Sequence, residues 1–380
     1  MNIAIETRML DFKLPFTGIA QYINNLLIQL SKIDNKNNYL LISDTPLRKE
    51  LMENIGPNFK SIYSDKFINK GWKIWLYEHY LHQMIDKYNP DVLWSPGIIT
   101  TSTSKNIKHV YNIHDLIRIE LKDKNNKYIY SFKQRLFFNY YLNKGLKYSN
   151  DLIFLTNDVK DKVNKLYSYK IRNKKEHIIY PSIQFKKRNI NYKNINPKIL
   201  ELINSDDKYL FFIGTKERRK GIYLMLDLAK KMKNNKINIP YKIVLAGADL
   251  FGFDDFHEEV KHLDNIIDFK QISEDEKAVL YQNCTAVLYP SLLEGFGIPL
   301  LEGAFYNKPI IASNLPVFEE VMGNNYFSFK TGDSNSLLST VSLFYHNELI
   351  RDHFVNSAHK ILNKYNIENE TEKLYHILTS

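Results

Sequence analysis

Cysteine is almost absent from this 380-residue chain, which carries one, Cys284. A single thiol makes no internal disulfide and no multi-cysteine metal site. Its plain reading is a small buried residue closing a helix. No stretch approaches the roughly 18 consecutive apolar residues of a membrane span. The opening run Met1-Asn2-Ile3-Ala4-Ile5-Glu6-Thr7-Arg8 lacks the basic start and apolar core of a secretory leader and reads as a first strand, so the expected compartment is the cytoplasm. No Asp-x-Asp stands at a strand end: Glu274-Asp275-Glu276 belongs to a helix start, and Asp254-Asp255 lies in a polar stretch without ligand partners. No metal site is therefore expected. Nucleic-acid motifs are missing as well, so nucleic acid is not an expected partner.

What is present points to two packed units. Apolar residues make up 44% of the chain, enough for two cores, and the length favours two domains over one. The formal net charge of +10 is unevenly placed. In residues 1–185, 28 Lys and Arg face 17 Asp and Glu, leaving +11; in residues 186–380, 24 face 25, leaving −1. A basic half suits an anionic surface or simply solubility.

Short apolar runs alternate with longer amphipathic stretches, the rhythm of parallel βα units. In the first half, strands are expected at Ile3–Glu6, Tyr39–Ser43, Val92–Ser95, His109–Ile113 and Leu152–Thr156. In the second half they are expected at Tyr209–Gly214, Lys242–Ala246, Ile266–Phe269, Ala286–Tyr289 and Ile310–Ser313. Helices are expected at Tyr22–Leu30 and Leu224–Met232, with a capping box at Ser273–Glu276 opening another. The fold class is α/β, with two Rossmann-like domains facing each other across a cleft. Residues 1–185 form the first domain, a polar linker covers 186–200, and 201–365 form the second. A last helix within 366–380 is a candidate for packing back on the first domain.

The most informative segment runs Tyr289-Pro290-Ser291-Leu292-Leu293-Glu294-Gly295-Phe296-Gly297-Ile298-Pro299-Leu300-Leu301-Glu302. A strand ends at Pro290, a two-glycine loop follows, and a helix opens near Ile298 with Pro299 in its first turn. Glycines let backbone N–H groups approach a ligand, and a helix N-terminus beyond a parallel strand suits a phosphate. Glu294 and Glu302 lie eight residues apart, which puts one carboxylate in the outer part of a site and the other at its floor. A carboxylate takes two hydrogen bonds at once, matching the vicinal diol of a sugar. A second strand-loop-helix element, Phe212-Ile213-Gly214-Thr215-Lys216-Glu217-Arg218-Arg219-Lys220-Gly221, places cations where a diphosphate would sit.

These segments resemble the family-4 (group 1) glycosyltransferases, retaining enzymes of the GT-B fold. The match runs through Pro290, Ser291, Glu294, Gly295, Phe296, Gly297, Pro299 and Glu302, and on through Pro309-Ile310-Ile311-Ala312-Ser313 and Pro316. The resemblance implies a nucleotide-sugar donor bound by Gly214, Arg219, Lys220, Ile272, Glu294, Gly295, Phe296, Gly297, Ile298 and Glu302. Glu302 takes the ribose and Glu294 the sugar hydroxyls. Arg219 and Lys220 stabilise the leaving diphosphate, and Ile272 lies beside the base. Many members have Arg after the first glycine where this chain has Thr215, so that role passes to Arg218 or is dropped. The Gly-Thr…Arg-Lys variant is similar to members that use GDP-mannose; a UDP-sugar is the other donor expected. In the first half, Pro15-Phe16-Thr17-Gly18-Ile19 is similar to the family's Gly-rich loop, giving Gly18 a donor contact. His114, in Tyr111-Asn112-Ile113-His114-Asp115, takes a place at the reacting centre, while Asp115 suits a turn cap. The expected catalytic set is thus His114, Glu294, Arg219 and Lys220, with no metal and no cofactor beyond the donor substrate.

The resemblance also implies that residues 1–185 bind the acceptor, a saccharide or lipid-linked saccharide, and residues 201–365 the nucleotide sugar. Residues 122–148 hold Lys122, Lys124, Lys127, Lys133, Arg135, Lys144 and Lys147, interleaved with Tyr128, Tyr130, Phe132, Phe137, Phe138, Tyr140 and Tyr141. Trp72 and Trp75 lie near Lys70 and Lys73. Such a mixture suits docking on an anionic membrane; its plain alternative is a domain helix with aromatic core and solvated lysines. Two rival functions share the fold or site: a GT-B nucleotide-sugar epimerase, and a catalytically silent membrane-associated subunit.

Overall fold

A computed structural model of the chain describes residues 1–11, 17–64, 74–122, 129–182, 189–234, 239–249 and 254–380. It divides into two units. Unit 1 comprises Met1–Gln184 and Tyr365–Ser380, and unit 2 comprises Phe185–Lys364.

Unit 1 is built on seven parallel strands: β1 (Asn2–Glu6), β2 (Asn38–Ile42), β3 (Phe59–Ile62), β4 (Val92–Ser95), β5 (Lys108–Ile113), β6 (Asp151–Phe154) and β7 (Lys175–Ile178). Their order is β3-β2-β1-β4-β5-β6-β7. Unit 2 holds β8 (Lys208–Ile213), β9 (Tyr241–Ala246), β10 (Ile266–Phe269), β11 (Ala286–Tyr289), β12 (Ile310–Ser313) and β13 (Phe327–Phe329), ordered β10-β9-β8-β11-β12-β13. The pairings are all parallel. Central strands such as β4, β6, β11 and β12 are buried at every position, which is why they read as unbroken apolar runs. Three strands escaped the sequence pattern. β3 (FKSI), β7 (KEHI) and β13 (FSF) are edge strands of three or four residues with polar side chains in the run. A strand half in solvent does not need the apolar continuity that marks a central one.

Helix starts follow local chemistry. Thr17 accepts from the Ala20 amide and opens Gly18–Ile33, two turns of which bury Ile23, Leu26, Leu27 and Leu30 against the sheet. Ser273 and Glu276 form the expected capping box ahead of Glu274–Asn283. Cys284 closes that helix; burial pushes its thiol up to about 12.

Residues 197–200, placed in the linker by sequence, lie in a helix, Pro197–Asn204, that buries Ile199 and Leu202 in unit 2. Pro197 opens it and Asn196 caps it, so the polar composition there reflects a helix start instead of a free connection. Residues 183–188 lie outside the described residues. At the other end, Ile367–Thr379 packs on unit 1: Ile367, Leu374, Ile377 and Leu378 join the core cluster containing Ile3, Ile23 and Leu27. Each fully buried aliphatic side chain contributes on the order of 1.5–3 kcal/mol.

Candidate active site

Unit 2 reverses its strand order between β8 and β11, and ligands of open parallel sheets bind beyond the carboxyl ends at such a point. The two segments singled out in the sequence meet there. The Leu292 amide donates to the Arg219 carbonyl at 2.7 Å, tying the loop after β11 to the loop after β8. Gly221 makes this approach possible: its φ is +73°, and an added Cβ would lie 1.9 Å from the Pro290 carbonyl oxygen.

Glu294 is the centre of the resulting network. Lys220 Nζ donates to its Oε1 at 2.5 Å, Ser291 Oγ donates to the same oxygen at 2.8 Å, and Arg219 Nη1 donates to Oε2 at 3.0 Å. Arg219 also pairs through Nη2 with Glu217 Oε1 at 2.6 Å. Lys220 Nζ further donates to Tyr289 Oη at 2.5 Å. Burial alone pushes the Glu294 carboxyl up, but Lys220 and Arg219 outweigh it and hold the group at about 2. Lys220 shows the converse: burial pushes its ammonium down, and Glu294 offsets part of that. Two cations and two carboxylates balance, so the cluster is fixed without a ligand.

Glu302 occupies a separate cage. It projects from the helix Ile298–Phe305, whose N-cap is Gly297 and whose second residue is Pro299. Lys277 Nζ donates to its Oε1 at 3.0 Å and Tyr281 Oη to its Oε2 at 2.8 Å. The sequence suggested one glutamate outward and one at the floor. Instead both are buried, at 7% and 8% exposure, Glu294 among Lys220, Arg219 and Ser291 and Glu302 between Lys277 and Tyr281. Lys277, Tyr281 and Tyr289 were not singled out by sequence. Lys277 and Tyr281 stand four apart on a capped helix, a spacing that puts them on one face, but nothing in the pattern names Glu302 as their partner.

The remaining expected residues fall as follows. Gly214 ends β8 and its amide donates to the Ala246 carbonyl at 3.0 Å. Gly295, Phe296 and Gly297 are buried in the loop before the helix, Ile298 is its first residue, and Ile272 is half-buried just after β10. Arg218 is exposed and lies over the Tyr223 ring at 5.5 Å, apart from the Glu294 network. In unit 1, Gly18 is the exposed first residue of its helix, while Pro15 and Phe16 lie outside the described residues. His114 follows β5 and is buried; its Nε2 donates to the Pro96 carbonyl at 2.5 Å, and Tyr22 meets its ring edge-on at 5.7 Å. Burial lowers the imidazole, and the Pro96 carbonyl places its proton on Nε2. Asp115 caps a turn through the Ile117 amide, as its sequence suggested.

Residues 197–361 match the family model described as glycosyl transferases group 1. The matched segment, in unit 2, is similar to the group 1 glycosyltransferases. It is 24% identical over 213 residues to the O-antigen chain mannosyltransferase RfbU of Salmonella typhimurium, a match covering 56% of this chain and 55% of that one. The chain thus spans about half the length of this curated relative. An uncharacterized glycosyltransferase of Methanocaldococcus jannaschii is 22% identical over 92% of this chain and 91% of its own. Among solved structures, Anabaena HepE in complex with UDP and glucose superposes with a TM-score of 0.70 at 14% identity, covering 100% of this chain and 99% of HepE. WaaG, a glycosyltransferase involved in lipopolysaccharide biosynthesis, gives 0.69 at 14% identity over 100% of both chains. These likenesses establish the GT-B fold, two Rossmann-like domains.

Proposed function

We propose that this chain moves a hexose from a nucleotide-diphosphate sugar to a saccharide or lipid-linked saccharide acceptor in surface polysaccharide synthesis, with retention of configuration and without a metal ion. The observation that carries the reading is the pair of caged glutamates. Glu294 is held ionised by Lys220 and Arg219, and Glu302 stands eight residues on in its own Lys277–Tyr281 cage, both at the carboxyl ends of one sheet. An ionised carboxylate can accept sugar hydroxyls, which supports Glu294 as the partner of the donor sugar and Glu302 as that of the ribose diol. Arg219, Lys220 and the N-terminus of the Ile298–Phe305 helix supply positive charge for a departing diphosphate, the task a metal performs elsewhere. That stabilisation grows with the transition state and is the main contribution of the protein. The departing diphosphate would itself help deprotonate the acceptor hydroxyl on the same face. The names of the mannosyltransferase relatives support mannose as the sugar moved, with GDP-mannose as its donor; the UDP-bound neighbour keeps a UDP-sugar as the second donor.

The basic aromatic segment supports membrane docking. Its described part contains the helix Phe132–Tyr148, which buries Phe138 and Tyr141 in unit 1 but leaves Phe132 69%, Leu136 52% and Tyr140 53% exposed. These three recur every four residues, with Lys133 and Lys147 on the same helix, so the helix divides between core and an exposed apolar stripe. Trp75 is 79% exposed on the helix Ile74–Tyr88; Lys70, Trp72, Lys73, Lys124, Lys127 and Tyr128 lie outside the described residues.

The test is metal-free donor hydrolysis and thermal shift across UDP-, GDP- and ADP-sugars, with Glu302→Ala as control. One responding donor, lost in the variant, supports the reading. A magnesium requirement that persists after phosphate-binding impurities are removed counts against metal independence. No response to any donor shifts the balance to a silent subunit.

A further inference from the structure

Both terminal nitrogens of the Arg219 guanidinium are engaged with carboxylates. Nη2 pairs with Glu217 Oε1 at 2.6 Å and Nη1 with Glu294 Oε2 at 3.0 Å. A guanidinium grips phosphate with the same N–H fork that it offers to carboxylates, so a diphosphate and these two side chains compete for one set of donors. The charges also cancel. Lys220 and Arg219 stand against Glu217 and Glu294, so the four groups together offer an incoming anion no net attraction.

The two carboxylates differ in what holds them. Glu294 also accepts from Lys220 Nζ and Ser291 Oγ, so it keeps its place if Arg219 turns away. Glu217 caps the 3-10 turn Arg218–Lys220, but its side chain accepts no capping hydrogen bond. Backbone bonds close that turn instead, from the Lys220 amide to the Glu217 carbonyl at 2.9 Å and from the Gly221 amide to the Arg218 carbonyl at 3.1 Å. The turn therefore keeps its shape when the Glu217 carboxylate moves. Its side chain is 15% exposed and reaches solvent, whereas moving Glu294 would strand buried charge.

We propose that Glu217 is a resident counter-anion of Arg219, which the diphosphate of the donor displaces, so that Glu217 sets how tightly the donor is held. The inference rests on the transferase reading above, which names the ligand. Displacement leaves Lys220 and Arg219 with one carboxylate between them, a surplus of positive charge that the diphosphate meets. When the diphosphate product leaves, Glu217 returns to Arg219, so neither state leaves the guanidinium without an anion.

Isothermal titration calorimetry of the full chain with UDP, GDP and ADP at physiological ionic strength tests it. For a nucleoside diphosphate that the wild type binds, Glu217→Gln should tighten binding about 5-fold, as expected when a partly exposed ion pair no longer has to be broken. Glu217→Ala is the second variant, because glutamine can still accept a hydrogen bond from Arg219, and it should tighten binding at least as much. Asp249→Asn is the control. It removes a carboxylate that pairs with Lys216 and His257, and should change affinity by less than about 2-fold. Unchanged or weaker binding in both Glu217 variants, or equal tightening in Asp249→Asn, overturns the proposal and leaves the transferase reading in place. Binding that appears only in the Glu217 variants supports it. No binding of any of the three by the wild type or either Glu217 variant removes the proposal and the transferase reading together.

Discussion

Replacing Glu6 with glutamine should make the protein more stable, and only at the alkaline end of the pH range. In the fold the carboxyl group titrates near 7, against an ordinary value of 4.5, because burial disfavours its charged form. The folded state therefore holds a proton that the unfolded chain has released. Stability from this group is full below pH 4.5 and is lost as pH rises through 7. At about 1.36 kcal/mol per pH unit, the difference amounts to roughly 3 kcal/mol, most of it expressed between pH 5 and 8. Glutamine keeps the shape and carries no titrating proton. The gap between Glu6→Gln and wild type should thus move by about 2–3 kcal/mol in favour of the variant from pH 5 to pH 8. The three tryptophans are Trp72, Trp75 and Trp94, all in unit 1, and Trp94 pairs with Ile5 beside Glu6. Urea unfolding followed by tryptophan fluorescence reads this unit. A gap that stays constant from pH 5 to 8 would refute the reasoning, because it would mean Glu6 is ionised in the fold throughout.

Two other perturbations act elsewhere. Lys220→Ala should lower turnover by about 10²-fold or more, since in the proposed transfer Lys220 stabilises the departing charge; steady-state kinetics showing a change in KM alone would mean that Lys220 only binds ground-state substrate. Changing Phe132, Leu136 and Tyr140 together to serine should weaken sedimentation with phosphatidylserine vesicles at low salt, and wild-type protein that ignores such vesicles ends the membrane reading.

The sequence made one kind of information plain and hid another. Glu294 and Glu302 stand in a frame of Pro, Ser, Gly and Phe whose order along the chain carries the signal, and the loop-to-helix transition at Ile298 follows from local rules. Arg219 and Lys220 were legible for the same reason. Their partners were not. Tyr289 reaches Lys220, and Lys277 reaches Glu302, only because strands and helices distant in sequence pack side by side. Glu6 read as one polar residue ending an apolar strand. Its interest arises from Tyr77, Gly97 and the Arg8–Asp44 pair, which lie up to 91 positions away and converge at a sheet reversal. Edge strands β3, β7 and β13 stayed hidden because solvent on one side relaxes the composition that betrays a buried strand.

The helix Ile367–Thr379 completes the core of unit 1 although all of unit 2 lies between it and residue 184. Unit 2 is therefore a contiguous piece of chain, while unit 1 is assembled from two. On the ribosome this imposes an order. At about 5–20 residues per second, unit 1 waits roughly 10–40 s, with an apolar face uncovered, while the intervening segment is made. During that interval the second unit can reach its native state and the first cannot. A nascent chain halted near residue 364 would carry a finished domain behind an unfinished one, and it is the earlier-made half that a chaperone would have to guard.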